Sequence, residues 1–200
     1  MKKFLHVGCG DATREQTTIG RRHPEWSEVR LDVDTALSPD ILASIADMSV
    51  VPDAAFDALY SSHNIEHLYA HEVPRALAEF RRVLKPDGFA VIICPDLQSV
   101  AALIVENKLT EEIAPGMRIS PMDVLYGDRS AIAEGRGYMA HHCGFTAKVL
   151  HMSLFMAGFG SIKVAARRAP YFDLWALATV RRCDDARLKE LVSMYIPAAR

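Results

Sequence analysis

Apolar residues in this chain come in short blocks that alternate between two periods. Lys3 to Val7 is a compact apolar run that stops at Gly8-Cys9-Gly10, the pattern of a buried strand entering a tight turn. A short polar helix is expected over Ala12 to Gly20, then a second strand over Ser27 to Val33 and a short third over Ile41 to Ile45. Phe56 to Ser61 reads as a fourth strand. From Val73 to Leu84 the period changes: Val73, Leu77, Phe80 and Leu84 recur every three or four residues, and Pro74 suits a first helical turn. Lys85-Pro86-Asp87-Gly88 turns the chain into Phe89 to Cys94, a continuous apolar run of the kind a central strand covered on both faces requires. A helix over Leu97 to Glu106 follows.

Residues 108–145 carry no strong period and hold Pro115, Gly116, Pro121, Gly127, Gly135 and Gly137, with one short helix expected over Pro121 to Ala133. Regularity then returns. Thr146 caps a helix to about Met156, closed by Gly158, and strands over Ser161 to Ala166 and Tyr171 to Thr179 precede a last helix from about Asp184. Strand alternating with helix predicts an α/β fold with a largely parallel sheet. There are no repeats or linkers, so residues 1–200 read as a single domain.

Charge narrows the partners. Lys and Arg number 23 against 25 Asp and Glu, and the basic pairs are scattered, so neither nucleic acid nor an anionic membrane surface is expected. Cys9, Cys94, Cys143 and Cys183 form no C-x-x-C pair. No signal-peptide core follows the N-terminal lysines, and no stretch approaches the ~18 apolar residues of a membrane span, which makes a reducing cytoplasm the expected compartment.

Two motifs carry candidate chemistry. In an open α/β sheet, ligands lie at the carboxyl ends of the strands, where glycines let a ligand rest against the backbone. Gly8-Cys9-Gly10 marks that place, and Asp32, 24 residues after Gly8, would reach ribose hydroxyls from the next strand end, with Asp34 as the fallback. Thr13 stands where a dinucleotide fingerprint needs a small residue. The second motif, His63-Asn64-Ile65-Glu66-His67, spells the H-x-x-E-H of one class of zinc peptidase. That chemistry needs both imidazoles on one helical face, whereas this segment leaves a strand, and no later motif announces a third ligand. No metal is assigned, and adjacent His141-His142-Cys143 side chains point apart in extended chain.

Taken together, FLHVGCG, RLDVD, ADMSVVPDAAFDALYSSHNIEHL and EFRRVLKPDGFAVIICPD resemble the successive motifs of class I S-adenosylmethionine-dependent methyltransferases, most closely the methyltransferase type 11 branch. The resemblance covers residues 3 to 97, with a later echo in GFT…AGFGSIKV. It implies a Rossmann-like, doubly wound, seven-stranded mostly parallel sheet with the last strand antiparallel. S-adenosylmethionine is the implied cofactor. Val7, Gly8, Cys9 and Gly10 would pass along its amino-acid part and sulfur, Asp32 and Val33 along its ribose, and Asp47 and Met48 along its adenine. Ser61, Ser62 and His63 would line the methyl side. His6 stands where many members carry an acidic residue, and Ala12 where a third glycine is common, which leaves open how the cofactor's ammonium group is held.

The expected activity is methyl transfer to a small-molecule acceptor, with a homodimer allowed. His63 is the candidate base. His67, Tyr126, Tyr138 and His142 are candidate acceptor contacts, with 108–145 as a substrate-covering insertion after the fifth strand. Two rivals stay open: a zinc hydrolase using residues 63–67, and a cofactor-binding module without catalysis.

Overall fold

The structure is a computed structural model that describes residues 1–197. Seven strands form one sheet: β1 (Lys3–Val7), β2 (Ser27–Asp32), β3 (Ile41–Leu42), β4 (Phe56–Ser62), β5 (Leu84–Pro95), β6 (Ser161–Arg167) and β7 (Asp173–Thr179). Their order is β3-β2-β1-β4-β5-β7-β6. The first five strands pair in parallel, and β7 runs antiparallel to both β5 and β6. The sheet is therefore Rossmann-like with its last strand reversed. Strand order turns back between β1 and β4, which is where such a sheet opens a crevice.

Helices cover both faces: α1 (Thr18–Arg22), α2 (Val73–Val83), α3 (Leu97–Val105), α4 (Pro121–Tyr126), α5 (Arg129–Ala133), α6 (Ala147–Met156) and α7 (Asp185–Tyr195). Alternation along β1, β4 and β5 sorts the core into two layers. Leu5, Val7, Leu59, Ala90 and Ile92 face Leu77 and Phe80 of α2 and Leu150 and Leu154 of α6. Phe4, Ala58, Tyr60, Val91 and Ile93 face Ile19 of α1 and Leu191 and Tyr195 of α7. Apolar runs in the central strands look continuous because each face has its own helical layer to fill. Phe80, fully buried, is worth ~3–5 kcal/mol against truncation to alanine.

Four boundaries depart from the pattern's expectation, each for a local reason. The polar helix expected over 12–20 is divided: Arg14–Gln16 forms one 3-10 turn, and Thr17 then starts α1 by accepting from the Gly20 amide. The third strand pairs over only two residues, because the chain folds back in a Ser44–Asp47 bridge. The turn at 85–88 is a looped entry into β5, since Phe56 pairs with Leu84 and Ala58 already pairs with Phe89. The single helix expected over 121–133 is two, split at Gly127 (φ +93°), where a Cβ would lie 2.0 Å from the Met139 carbonyl oxygen. That close approach lets residues 137–140 lie back over the α4–α5 junction, and Gly127 bridges Ala140.

Candidate functional site

Parallel register brings the carboxyl ends of β1, β2 and β4 level, with Val7 beside Leu31 on one side and Ser61 on the other. The turn after β1 is built on two left-handed glycines, Gly8 (φ +57°) and Gly10 (φ +54°). A Cβ on Gly8 would lie 2.3 Å from the Asn64 side chain, so the turn leaving β4 packs directly on it. A Cβ on Gly10 would meet nothing within 4 Å. Asp32, 8% exposed, fixes this corner by accepting from the Gly10 amide (2.9 Å) and the Asp34 amide (3.0 Å). Arg30 donates to the Gly10 carbonyl at 2.6 Å from the other side.

Above this corner lies a cleft of about 520 Å³, within the range that small ligands occupy. Gly8, Gly10, Asp32, Val33, His63, His67 and Tyr138 of the expected site all line it. Val7, Cys9 and Ser61 sit beneath that lining, buried, and Ser62 is half-buried beside them. Burial pushes the Cys9 thiol up to about 11, so it is no nucleophile. A second cavity, about 700 Å³, opens beside Lys2, Trp26 and Lys85, far from the glycine turn.

Four expected contacts fall outside the cleft. Asp47 points to solvent and pairs with Arg75 at 3.0 Å, while Met48 is fully buried with its amide held by Glu79 at 2.9 Å. The Ser44–Asp47 fold-back is the cause, because it presents Ala43, Ser44 and Ile45 to the cleft instead. Tyr126 is an exposed residue at the end of α4, and His142 turns its ring onto Tyr69 (centroids 4.2 Å apart). Sequence reasoning passed over Asn64, Ser44, Ile45 and Met139 as lining residues. Only Asn64 carried a signal, as a polar residue inside a motif already singled out.

Residues after 133 return to the cleft. Arg136, Tyr138 and Met139 line it, and the Tyr138 hydroxyl donates to Asp34 at 2.9 Å across its mouth. The next segment docks on the turn after β4, where the amides of His142 and Cys143 both donate to the Glu66 carbonyl (2.9 and 3.2 Å). His63 occupies a left-handed conformation (φ +50°) with its side chain half exposed. Its Nδ1 lies 3.5 Å from Glu66 Oε1. Crowding at the strand end opposes its protonation, but the Glu66 carboxylate outweighs that and raises its pKa above the ordinary histidine value. Burial acts the other way on His141, holding it more readily neutral.

His6 is buried at 2% exposure and held at 2.8 Å by Glu28 of the neighbouring strand. The departure from an acidic residue therefore comes with a carboxylate one strand away. The H-x-x-E-H letters do not form a helix: His63 is left-handed and Ile65–His67 is a single 3-10 turn, so the two histidines of that motif share no helical face.

Residues 5–92 match the family model described as a methyltransferase domain. Among curated proteins none matches the sequence significantly. Solved structures with the same fold include a SAM-dependent methyltransferase from Archaeoglobus fulgidus, with a TM-score of 0.61, 15% identity and coverage of 89% of this chain and 86% of that one. Another, from Methanosarcina mazei, has a TM-score of 0.59, 16% identity and coverage of 91% and 93%. A third, from Mesorhizobium loti, has a TM-score of 0.56, 17% identity and coverage of 88% and 90%. The structural likeness carries the fold, and the sequence match runs from β1 into β5, over most of the cleft floor, where residues 5–92 are similar to a methyltransferase domain.

Proposed function

We propose that this chain is a class I S-adenosylmethionine-dependent methyltransferase that methylates a small-molecule acceptor held between the carboxyl ends of β1 and β4 and the covering segment 108–145. The observation that carries this reading is the Tyr138–Asp34 hydrogen bond across a cleft of about 520 Å³. It makes the segment after α3 a cover over the glycine turn, with room beneath for the cofactor and a compact partner. The near-neutral charge balance argues in the same direction, because a polyanionic acceptor would call for a basic surface.

The residues present fit the cofactor. S-adenosylmethionine supplies an electrophilic methyl group on a sulfonium, so the protein's tasks are positioning and exclusion of water. Gly8 and Gly10 would let its amino-acid part lie against the backbone, and Gly10 in particular leaves open the volume a side chain would fill. Asp32 would take the ribose hydroxyls. Ala43 to Ile45 are better placed for the adenine than Asp47 and Met48. His63, at the strand end beside Ser61 and Ser62, would accept a proton from an acceptor that must lose one. Its position next to Glu66 suits that role, since the carboxylate stabilises the imidazolium that forms.

All four cysteines are free, which fits a reducing, cytoplasmic setting, and among the described residues no helix is long and apolar enough to cross a membrane. The test is calorimetric titration with S-adenosylhomocysteine, followed by an acceptor screen on the same sample. One site per chain that disappears in Asp32→Ala, with turnover of a small acceptor, supports the reading. Unchanged affinity in Asp32→Ala refutes the site, and activity confined to nucleic acid or protein refutes the acceptor class.

A further inference from the structure

Glu66 presents a problem that the cofactor site does not solve. Its side chain is 1% exposed, and neither carboxylate oxygen has a hydrogen-bond partner. His63 Nδ1, at 3.5 Å, lacks the geometry of a hydrogen bond. A buried carboxylate without a donor is strongly disfavoured unless a positive charge sits beside it. Besides His63, two more imidazoles offer ligand atoms within 4.8 Å of it. His67 Nδ1 lies 3.1 Å from the Ala140 carbonyl, and His141 Nδ1 lies 2.8 Å from the Val124 carbonyl. A carbonyl oxygen only accepts, so both Nδ1 atoms carry a proton, which leaves Nε2 as the atom each ring can offer to a ligand. The two rings meet edge to face with centroids 4.8 Å apart.

One ligand atom from each of Glu66, His67 and His141 lies within 4.8 Å of the other two. No hydrogen bond joins Glu66 to either ring, although all three side chains offer atoms that a cation can take. The cluster also has the outer shell of a metal site, in which each ligating imidazole is oriented through its other nitrogen by a backbone carbonyl. From these observations we infer that Glu66, His67 and His141 bind one divalent transition-metal ion at the edge of the cleft.

An ion about 2.1 Å from three tetrahedral ligands sets them about 3.4 Å apart. Binding therefore draws the three side chains together by about an ångström, within reach of small side-chain rotations. Two imidazoles and one carboxylate select zinc, cobalt, iron or manganese over magnesium and calcium, which prefer all-oxygen shells. His67 belongs both to the cluster and to the cleft lining, which puts the cluster at the cleft's edge. The letters H-x-x-E-H thus carry a metal in a way the peptidase pattern did not foresee: Glu66 is a ligand rather than a base, and the third ligand is His141, from the covering segment.

Resting on the small-acceptor reading above, the ion would hold an oxygen of the acceptor and lower its pKa. The ion would also tie the cover to β4, because His141 lies in the stretch that docks on the Glu66 carbonyl.

The test uses the untagged full chain, stripped with chelator. Cobalt(II) is titrated by visible absorption and zinc by calorimetry, with S-adenosylhomocysteine titrated in parallel. The expected result is one ion per chain with ligand-field bands, lost in both His141→Ala and Glu66→Gln. Cofactor-product affinity stays unchanged in His141→Ala, since His141 does not line the cleft. Glu66→Gln keeps the side chain's shape and removes its charge, which guards against a fold defect in the histidine variant. A chain that binds S-adenosylhomocysteine but no ion overturns the inference, as does an ion that survives both substitutions. An ion bound as expected with no binding of S-adenosylhomocysteine sustains the metal site and refutes the cofactor cleft instead.

Discussion

Gly8 and Gly10 have nearly the same backbone conformation and opposite surroundings, so alanine at each separates folding from binding. Both sit near φ +55°, where a side chain costs ~1–2 kcal/mol for conformation alone. At Gly10 that is the whole folding cost, because the added methyl meets no atom within 4 Å. At Gly8 the methyl would overlap Asn64 Cγ and Nδ2 at 2.3 Å, which adds ~1–3 kcal/mol of overpacking. In a domain of this size each kcal/mol moves the melting temperature by ~2–4 °C. Gly10→Ala should therefore melt a few degrees low and Gly8→Ala roughly twice as far below the parent. Binding should run the other way in selectivity: on the proposed site the Gly10 methyl would occupy cofactor space, so affinity for S-adenosylhomocysteine should fall at least tenfold, ~1.4 kcal/mol, in a protein that is otherwise folded. Adding Asn64→Ala to Gly8→Ala removes the overlapping atoms and should bring stability back to the level of Gly10→Ala. Differential scanning calorimetry and titration on the parent and the three variants decide the matter. Equal stability of the two single variants would contradict the packing of the β4 turn on Gly8, and full affinity in Gly10→Ala would contradict a cofactor lying on that turn.

Three further expectations concern the same cleft and its cover. Asp32→Ala removes the acceptor of two backbone amides, at ~1–3 kcal/mol for the amides left behind, and should abolish binding of S-adenosylhomocysteine while the far-ultraviolet dichroism stays native. Tyr138→Phe deletes one exposed hydrogen bond to Asp34, so stability should hold within ~0.5 kcal/mol while the KM of the acceptor rises, as steady-state kinetics would show. Asp123 loses some solvation at the start of α4, but its bonds to Arg129 and Ser120 prevail and hold its pKa at about 2. Its folded pKa lies below the unfolded value, so its contribution is complete above about pH 4 and is lost as pH falls toward 2. With Arg129 half exposed, that contribution is at most ~1 kcal/mol, and amide exchange in residues 120–133 should quicken over this interval in the parent but not in Asp123→Asn.

Much of the sheet could be read directly from the chain. The limits of β1 follow the apolar run residue for residue because the strand is covered on both faces, and α2 follows its three-and-four spacing because one face of it packs on the sheet. The misreadings share a cause. Thr17 and Gly127 interrupt expected helices through contacts with residues that are distant or only locally visible, the Gly20 amide and the Met139 carbonyl. Asp47 looked like the adenine carboxylate because it stands in the right motif, yet a bridge three residues long turns it outward to Arg75. His141 was legible only as one of several polar residues in an aperiodic segment. Its partners Glu66 and His67 lie more than seventy residues earlier, and nothing in a local pattern encodes that meeting.

Strain and unsatisfied groups mark the working end of the sheet independently of any motif. Among the described residues, six buried side-chain atoms lack a hydrogen-bond partner, and four of them belong to Ser61, Asn64 and Glu66 at the end of β4. His63, in the same six residues, is held left-handed at φ +50°. A stretch that served only to connect β4 to α2 would be selected to relieve these costs, since a single substitution such as Ser61→Ala removes an orphaned group without changing the packing. Their concentration beside the glycine turn, under the docked segment 138–143, fits a place where the native chain waits for ligands to complete its bonding. The two sides of that place are chemically different. Around Gly10 and Asp32 the surface offers open backbone and one carboxylate already tied to amides, a surface for the cofactor. Around Glu66, His67 and His141 it offers acceptors alone, a surface for a cation. Methyl donor and metal-held acceptor would then approach each other across the turn that joins the two.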